Sequence, residues 1–257
     1  MPRVQNGDVS IYYETQGSGP PILLGHGYAS SNKMWEPQLA PFSSKYRLIT
    51  WEMRGHARSD SPADPDEYSA EKTIQDMKLV LEAEGVDRAI VVGFSLTGYF
   101  AASFYIAHPE MVTALVLFGT GPGYRNPVGR EGWNKYAIAR ANELDRRGLE
   151  SLPPDSTEVH IGLDLQKSPA GLAHAGRGML TQSDDRVMKA LPSIGVPTLV
   201  IVGDRDEPFL VASDYMAAKI PDSRLVVIKD AGHPANLHQP GAFNDAVLSF
   251  LDEVSAG

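Results

Sequence analysis

Short apolar runs alternate with longer amphipathic stretches along most of the chain. Residues 9–14 alternate between apolar and polar and predict a half-covered strand, followed by a Gly-rich turn at Gln16-Gly17-Ser18-Gly19-Pro20. The runs 21–24, 48–51, 89–92, 114–118, 198–202 and 225–228 are each four or five residues long and apolar apart from Thr50 and Thr198, continuous rather than alternating. Continuous rather than alternating runs are expected of strands covered on both faces. Residues 68–84 have helical spacing, with Ile74, Met77 and Leu81 on one side and charges on the other. Residues 99–107 predict a second helix, rich in Ala and aromatics. This pattern predicts an α/β fold, a mostly parallel central sheet flanked by helices, with the first strand antiparallel at the edge.

The pattern changes between residues 121 and 193. Apolar strand runs stop, Arg140, Glu143, Asp145, Arg146 and Arg147 cluster, and Pro153-Pro154 divides the segment. A structureless loop of that length would be unusual in a compact domain, so a small helical cap insertion is expected at 121–193. Residues 1–120 and 194–257 would then form one core domain. Within the insertion, Tyr124, Trp133, Tyr136, Met179 and Leu180 are candidates for lining a pocket. Gly176-Arg177-Gly178 suggests a hinge or tight turn.

Composition narrows the partners. The net charge is −9, from 23 basic and 32 acidic residues, which disfavours nucleic acid or an anionic membrane as a main partner. Cysteine is absent, which removes disulfides and thiolate metal sites. No histidine pair has the spacing of a metal motif, so neither metal nor cofactor is expected. No run of apolar residues is long enough for a bilayer span and no apolar leader stands at the start. A cytoplasmic monomer or homodimer is the resulting expectation.

Three loops that follow apolar runs carry reactive residue types. After 89–92 comes Gly93-Phe94-Ser95-Leu96-Thr97-Gly98; after 198–202 comes Gly203-Asp204-Arg205-Asp206; after 225–228 comes Asp230-Ala231-Gly232-His233. In a parallel sheet all three loops emerge at the carboxyl edge, where open α/β folds bind ligands. A hydroxyl, a carboxylate and an imidazole gathered there can form a proton relay. A serine that opens a helix is otherwise most simply an N-cap.

The order of these loops, together with His26-Gly27 after an early strand, Arg54-Gly55-His56 with Ser59-Asp60, and Gly232-His233 with Gln239-Pro240, resembles the α/β-hydrolase fold superfamily over nearly the whole chain. The resemblance implies Ser95 as nucleophile, Asp206 as acid and His233 as base, with Asp204 left to cap its turn. It implies an oxyanion hole from the backbone N–H groups of Tyr28 and Leu96. His26 and His56 would brace their loops. The substrate implied is a small carboxylic ester or lactone, bound in part by Tyr28, Tyr124, Trp133, Tyr136 and Met179. Carbon–carbon bond hydrolases, enol-lactonases, cofactor-free haloperoxidases or perhydrolases, and non-catalytic ligand sensors share the fold and stay open. Two positions depart from the pattern. Thr97 stands where G-x-S-x-G has its second Gly and is expected to strain the bend, with Gly98 relieving some of it. Ala57 stands where a Gly is common.

Overall fold

Among the described residues eight strands form one sheet in the order β1-β2-β4-β3-β5-β6-β7-β8. The computed structural model describes residues 2–256. The strands are β1 (Arg3–Asn6), β2 (Val9–Gln16), β3 (Pro21–Gly25), β4 (Arg47–Trp51), β5 (Ala89–Phe94), β6 (Val112–Phe118), β7 (Thr198–Gly203) and β8 (Ser223–Ile228). From β4 to β8 in sheet order every pairing is parallel; β1–β2 and β2–β4 are antiparallel. The α/β class and the mostly parallel sheet read from the apolar runs are therefore present. The edges are β1 and β8. The hydrophobic pattern did not reveal β1, because its four residues are exposed or half-exposed, and the run 225–228, expected to be covered on both faces, lies on edge strand β8 with Val227 exposed.

Among the described residues ten α-helices accompany the sheet: α1 (Glu36–Ser43), α2 (Ala70–Ala83), α3 (Leu96–Ala107), α4 (Pro127–Arg147), α5 (Thr157–His160), α6 (Pro169–Ala175), α7 (Arg186–Ala190), α8 (Glu207–Lys219), α9 (Ala235–His238) and α10 (Pro240–Ala256). None is long and apolar enough to cross a membrane among the described residues. Local signals explain several boundaries. Ser69 accepts from the Lys72 N–H and starts α2; Asn126 accepts from the Val128 N–H and starts α4, with Pro127 at its first position. At its other end α4 places Arg146 and Arg147 beside the terminal carbonyls and stops at Gly148, whose φ is +61°.

Successive residues of the central strands enter opposite cores. Leu23, Ile49, Val91, Leu115 and Val200 belong to one cluster; Ile22, Leu24, Leu48, Ile90, Val92, Val116 and Ile201 belong to the other, under α1 and α10. Burial on both faces is why the strand runs carry no polar alternation. The segment between β6 and β7 contains only helices and single helical turns. Its apolar residues Ala137, Leu144, Leu172, Leu180 and Leu191 join the same cluster as Leu23 and Phe100, so its packing is continuous with that face of the sheet. The Gly176–Leu180 stretch is a π-helical turn continuing α6, not a hinge. The glycines are needed for close approach: a Cβ on Gly178 would fall 1.9 Å from the Tyr68 carbonyl oxygen.

Sheet order reverses between β3 and β5, because β4 returns to one side of β3 and β5 lies on the other. The loops that follow β3 and β5 therefore bound the crevice where ligands bind in open α/β sheets. The loop after β4 backs this crevice, and a buried ion pair holds it. Arg54 donates from Nε and Nη2 to the two carboxylate oxygens of Asp76 on α2, at 2.8 and 2.7 Å, with both side chains fully buried. Truncating one partner strands the other's charge, so Asp76→Ala is expected to cost about 3–5 kcal/mol in denaturant unfolding, whereas Arg54→Met with Asp76→Leu costs less than Asp76→Ala alone. Equal losses would show that the pair is not what secures the loop.

Candidate active site

Ser95 lies between β5 and α3 with φ +53° and ψ −112°, a conformation that side-chain-bearing residues rarely adopt. Its surroundings hold it there. The Ser95 N–H donates to the Phe118 carbonyl at 2.9 Å, and the Ser95 carbonyl accepts from Thr120 Oγ1 at 2.7 Å and from the Gly98 N–H at 3.0 Å. The turn is so tight that a Cβ on Gly93 would meet the Thr97 carbonyl oxygen at 2.2 Å. Although Ser95 precedes α3, its hydroxyl makes no capping bond. It lies 3.0 Å from His233 Nε2 instead.

His233 follows β8 on a loop that Asp204 braces. Asp204 Oδ1 accepts from the Ala231 N–H at 3.1 Å, and Arg205 N–H donates to the Ala231 carbonyl at 2.9 Å. Backbone N–H groups, foremost that of Asp230, hold the Asp204 carboxyl below its usual range. Asp206, two residues on and almost fully buried, places Oδ2 2.8 Å from His233 Nδ1. A carboxylate can only accept, so the Nδ1 proton points to Asp206 and the Nε2 lone pair is left to accept from the Ser95 hydroxyl. Phe94 and Phe209 flank the imidazole, with ring centroids 4.7 and 4.9 Å away, which fixes its plane. Ser95, His233 and Asp206 thus form one hydrogen-bonded chain at the carboxyl edge of the sheet.

The loop after β3 passes beside the serine: a Cβ on Gly27 would lie 3.4 Å from Ser95 Cβ. The backbone N–H groups of Tyr28 and Leu96 have no acceptor among the described residues. His26 supports this loop in its neutral form, donating from Nδ1 to the Gly27 carbonyl at 2.7 Å and accepting at Nε2 from the Met53 N–H at 3.1 Å. His56 packs against it with the rings tilted and their centroids 5.2 Å apart, donates from Nδ1 to the Arg54 carbonyl at 3.0 Å, and leaves Nε2 buried and unpaired. From the segment between β6 and β7, Gln166 stitches the same region together. Its Oε1 accepts from the Ala57 N–H at 2.9 Å and its Nε2 donates to the Ser30 carbonyl at 2.8 Å. Ala57 has φ +45°, which explains why a glycine would suit that position.

A cavity of about 310 Å³ opens beside Ser95, and every side chain lining it is uncharged. Of the residues expected to line a pocket, Tyr124, Trp133, Met179 and Leu180 do so; Tyr28 and Tyr136 do not. The Tyr28 ring turns inward, donating to the Leu172 carbonyl at 2.7 Å and meeting His56 edge-on. Tyr136 is half exposed, on the outer side of Trp133 and beside Arg140. Lining that the sequence reading missed comes from Tyr99, Thr120, Gln182, Phe209, Ala212 and Tyr215. Phe209, Ala212 and Tyr215 recur every three residues just after Asp206, a one-faced helical spacing that would have pointed to them. Thr120 follows β6 at the same edge as the other loops.

This is an α/β protein of hydrolase topology. The model for the alpha/beta hydrolase fold matches residues 20–146. Across 95% of the chain and 94% of the relative, the sequence is 28% identical to 3-oxoadipate enol-lactonase 2 of Acinetobacter baylyi. A hydrolase from Pseudomonas aeruginosa PA01 superposes with a TM-score of 0.80 and 28% identity, covering 97% of both chains. The enol-lactonase from Burkholderia xenovorans LB400 superposes with a TM-score of 0.83 and 24% identity, covering 98% of this chain and all of that one. Fold and sequence together place the chain in the α/β-hydrolase fold superfamily, among relatives that are hydrolases.

Burial depresses both bracing histidines, His26 to about 4 and His56 to about 3, the latter also through its proximity to His26. The unfolded chain, with histidines near 6.5, therefore binds protons that the folded chain refuses. Stability is unaffected above that value and falls as pH drops through it toward 4. Urea unfolding at pH 5 should give a stability lower than at pH 7 by on the order of a few kcal/mol. His56→Asn should flatten that slope; an unchanged slope would mean that His56 is not held neutral.

Proposed function

We infer that the chain is a serine hydrolase that cleaves small, uncharged carboxylic esters or lactones through an acyl-enzyme. The observation that carries this reading is the Ser95–His233–Asp206 hydrogen-bonded chain opening onto an uncharged cavity. Ser95 Oγ attacks the substrate carbonyl carbon while its proton passes to His233 Nε2. Asp206, accepting from Nδ1, stabilises the imidazolium that results. The carbonyl oxygen, now an anion, receives hydrogen bonds from the free N–H groups of Leu96 and Tyr28. When the intermediate collapses, the carbon–oxygen bond to the leaving group breaks and that oxygen takes the proton from His233. In a lactone the leaving oxygen stays attached to the acyl group. Water then gives a proton to His233 and attacks the ester carbon; collapse returns Ser95 and releases the acid.

The lining supports a preference within the superfamily. Aromatic and methionine side chains with no cation suit a neutral, partly apolar substrate and offer nothing to balance a carboxylate. The sequence likeness to a 3-oxoadipate enol-lactonase favours keeping lactones beside esters. In this reading residues 121–193 act as a cap on the core of 1–120 and 194–257, supplying Tyr124, Trp133 and Met179 to one wall. The test is turnover of short p-nitrophenyl esters and simple lactones. Ser95→Ala and His233→Ala should each lower kcat by about a thousandfold or more. A fluorophosphonate should label the native chain and not Ser95→Ala. Full activity in Ser95→Ala would end the reading.

A further inference from the structure

We propose that Thr97 is a positioning residue: its hydroxyl ties the turn that presents Ser95, and its bulk sets the spacing between the two segments that hold the Leu96 and Tyr28 N–H groups. The proposal rests on Ser95 as the nucleophile. Thr97 is almost fully buried. Its Oγ1 accepts from the Phe94 N–H and donates to the Phe94 carbonyl, both at 3.1 Å. Phe94 precedes Ser95 and Thr97 follows it by two residues, so these bonds close a ring around the serine. That ring resists relaxation of the φ +53° conformation toward an ordinary backbone well.

The other side of Thr97 faces β3. A Cβ on Gly25 would lie 2.8 Å from both Cβ and Oγ1 of Thr97 and 3.0 Å from its Cγ2. The missing side chain of Gly25 is the space that Thr97 fills. This is why a branched residue fits where the family pattern has glycine. Gly25 ends β3 and leads directly into His26-Gly27-Tyr28, while Leu96 adjoins Thr97. One side chain therefore touches both strands of chain whose N–H groups must converge on a single oxygen. Anion stabilisation depends on donors held at fixed separation, so this contact bears on the transition state more than on ground-state binding.

The first experiment separates hydroxyl from shape. Thr97→Val keeps the volume and loses the ring; kcat should fall by about tenfold or more with KM within about twofold, since a small displacement of the nucleophile acts on the chemical step. Affinity for a boronic acid transition-state analogue should fall with it, and Thr97→Ser should recover most of the rate. Equal losses in Val and Ser, wild-type kcat in Val, or a change confined to KM would overturn the hydroxyl's role. The second experiment tests the spacing. Thr97→Gly should lower kcat in the native background yet raise it in Gly25→Ala, because it removes the clash; additive losses would overturn the spacer. Should Gly25→Ala not fold, restored folding in the double variant supports the spacer, and failure of both overturns it. Fluorophosphonate labelling of the native chain keeps the outcomes apart: absent labelling refutes the hydrolase reading, whereas normal labelling with unaffected Thr97 variants refutes only this inference.

Discussion

A serine in a left-handed conformation has to be held by something stronger than its own preference, and the central sheet supplies it. Such a residue costs on the order of 1–3 kcal/mol, which is a sizeable part of the stability of an ordinary domain. Ser95 is held through its backbone at both ends, by the Phe118 carbonyl on β6 and by the Thr120 hydroxyl just beyond it. Both anchors come from the neighbouring strand. The pairing of β5 with β6 is therefore what turns local strain into a fixed position for one hydroxyl. Everything around the cavity is referenced to that point: the imidazole reaches it, and the loop after β3 passes beside it.

The second layer of support is polar and dry. His26 and His56 are neutral, fully buried and linked to backbone groups of the loops after β3 and β4. Arg54 and Asp76 join the second of these loops to α2, and Gln166 joins both loops to the segment between β6 and β7. His26, His56, Arg54 and Gln166 each satisfy backbone groups that would otherwise be unpaired inside the protein, and Asp76 balances the Arg54 charge. The consequence is rigidity in a region with little regular secondary structure.

Much of the architecture was legible because continuous apolar runs of four or five residues are too short for buried helices and so read as strands covered on both faces. The runs 89–92, 114–118 and 198–202 fall inside β5, β6 and β7. Once the strands were located, the loops carrying Ser95, Asp206 and His233 had to emerge on one edge. Strand β1 escaped notice because an exposed edge strand has no apolar signature. The cavity lining was only half legible. Aromatic residues on the helices between β6 and β7 face inward or outward according to packing that no spacing rule reveals, as Tyr136 and Trp133 show from neighbouring turns of α4. The fit of Thr97 was not legible for a different reason: its partner, Gly25, is distant in sequence, and steric complementarity between distant segments leaves no local trace.

The two walls of the cavity differ in what they are attached to. Met179 and Leu180 belong to the apolar cluster that runs into the sheet, whereas Val211 and Ala212 on α8 stand apart from it, and Val211 is 77% exposed. A change on the first wall disturbs the interior of the molecule; a change at Val211 or Ala212 disturbs little beyond its own helix. Drift in selectivity among descendants of this chain should therefore accumulate along α8, where new substrates can be accommodated without loss of foldedness.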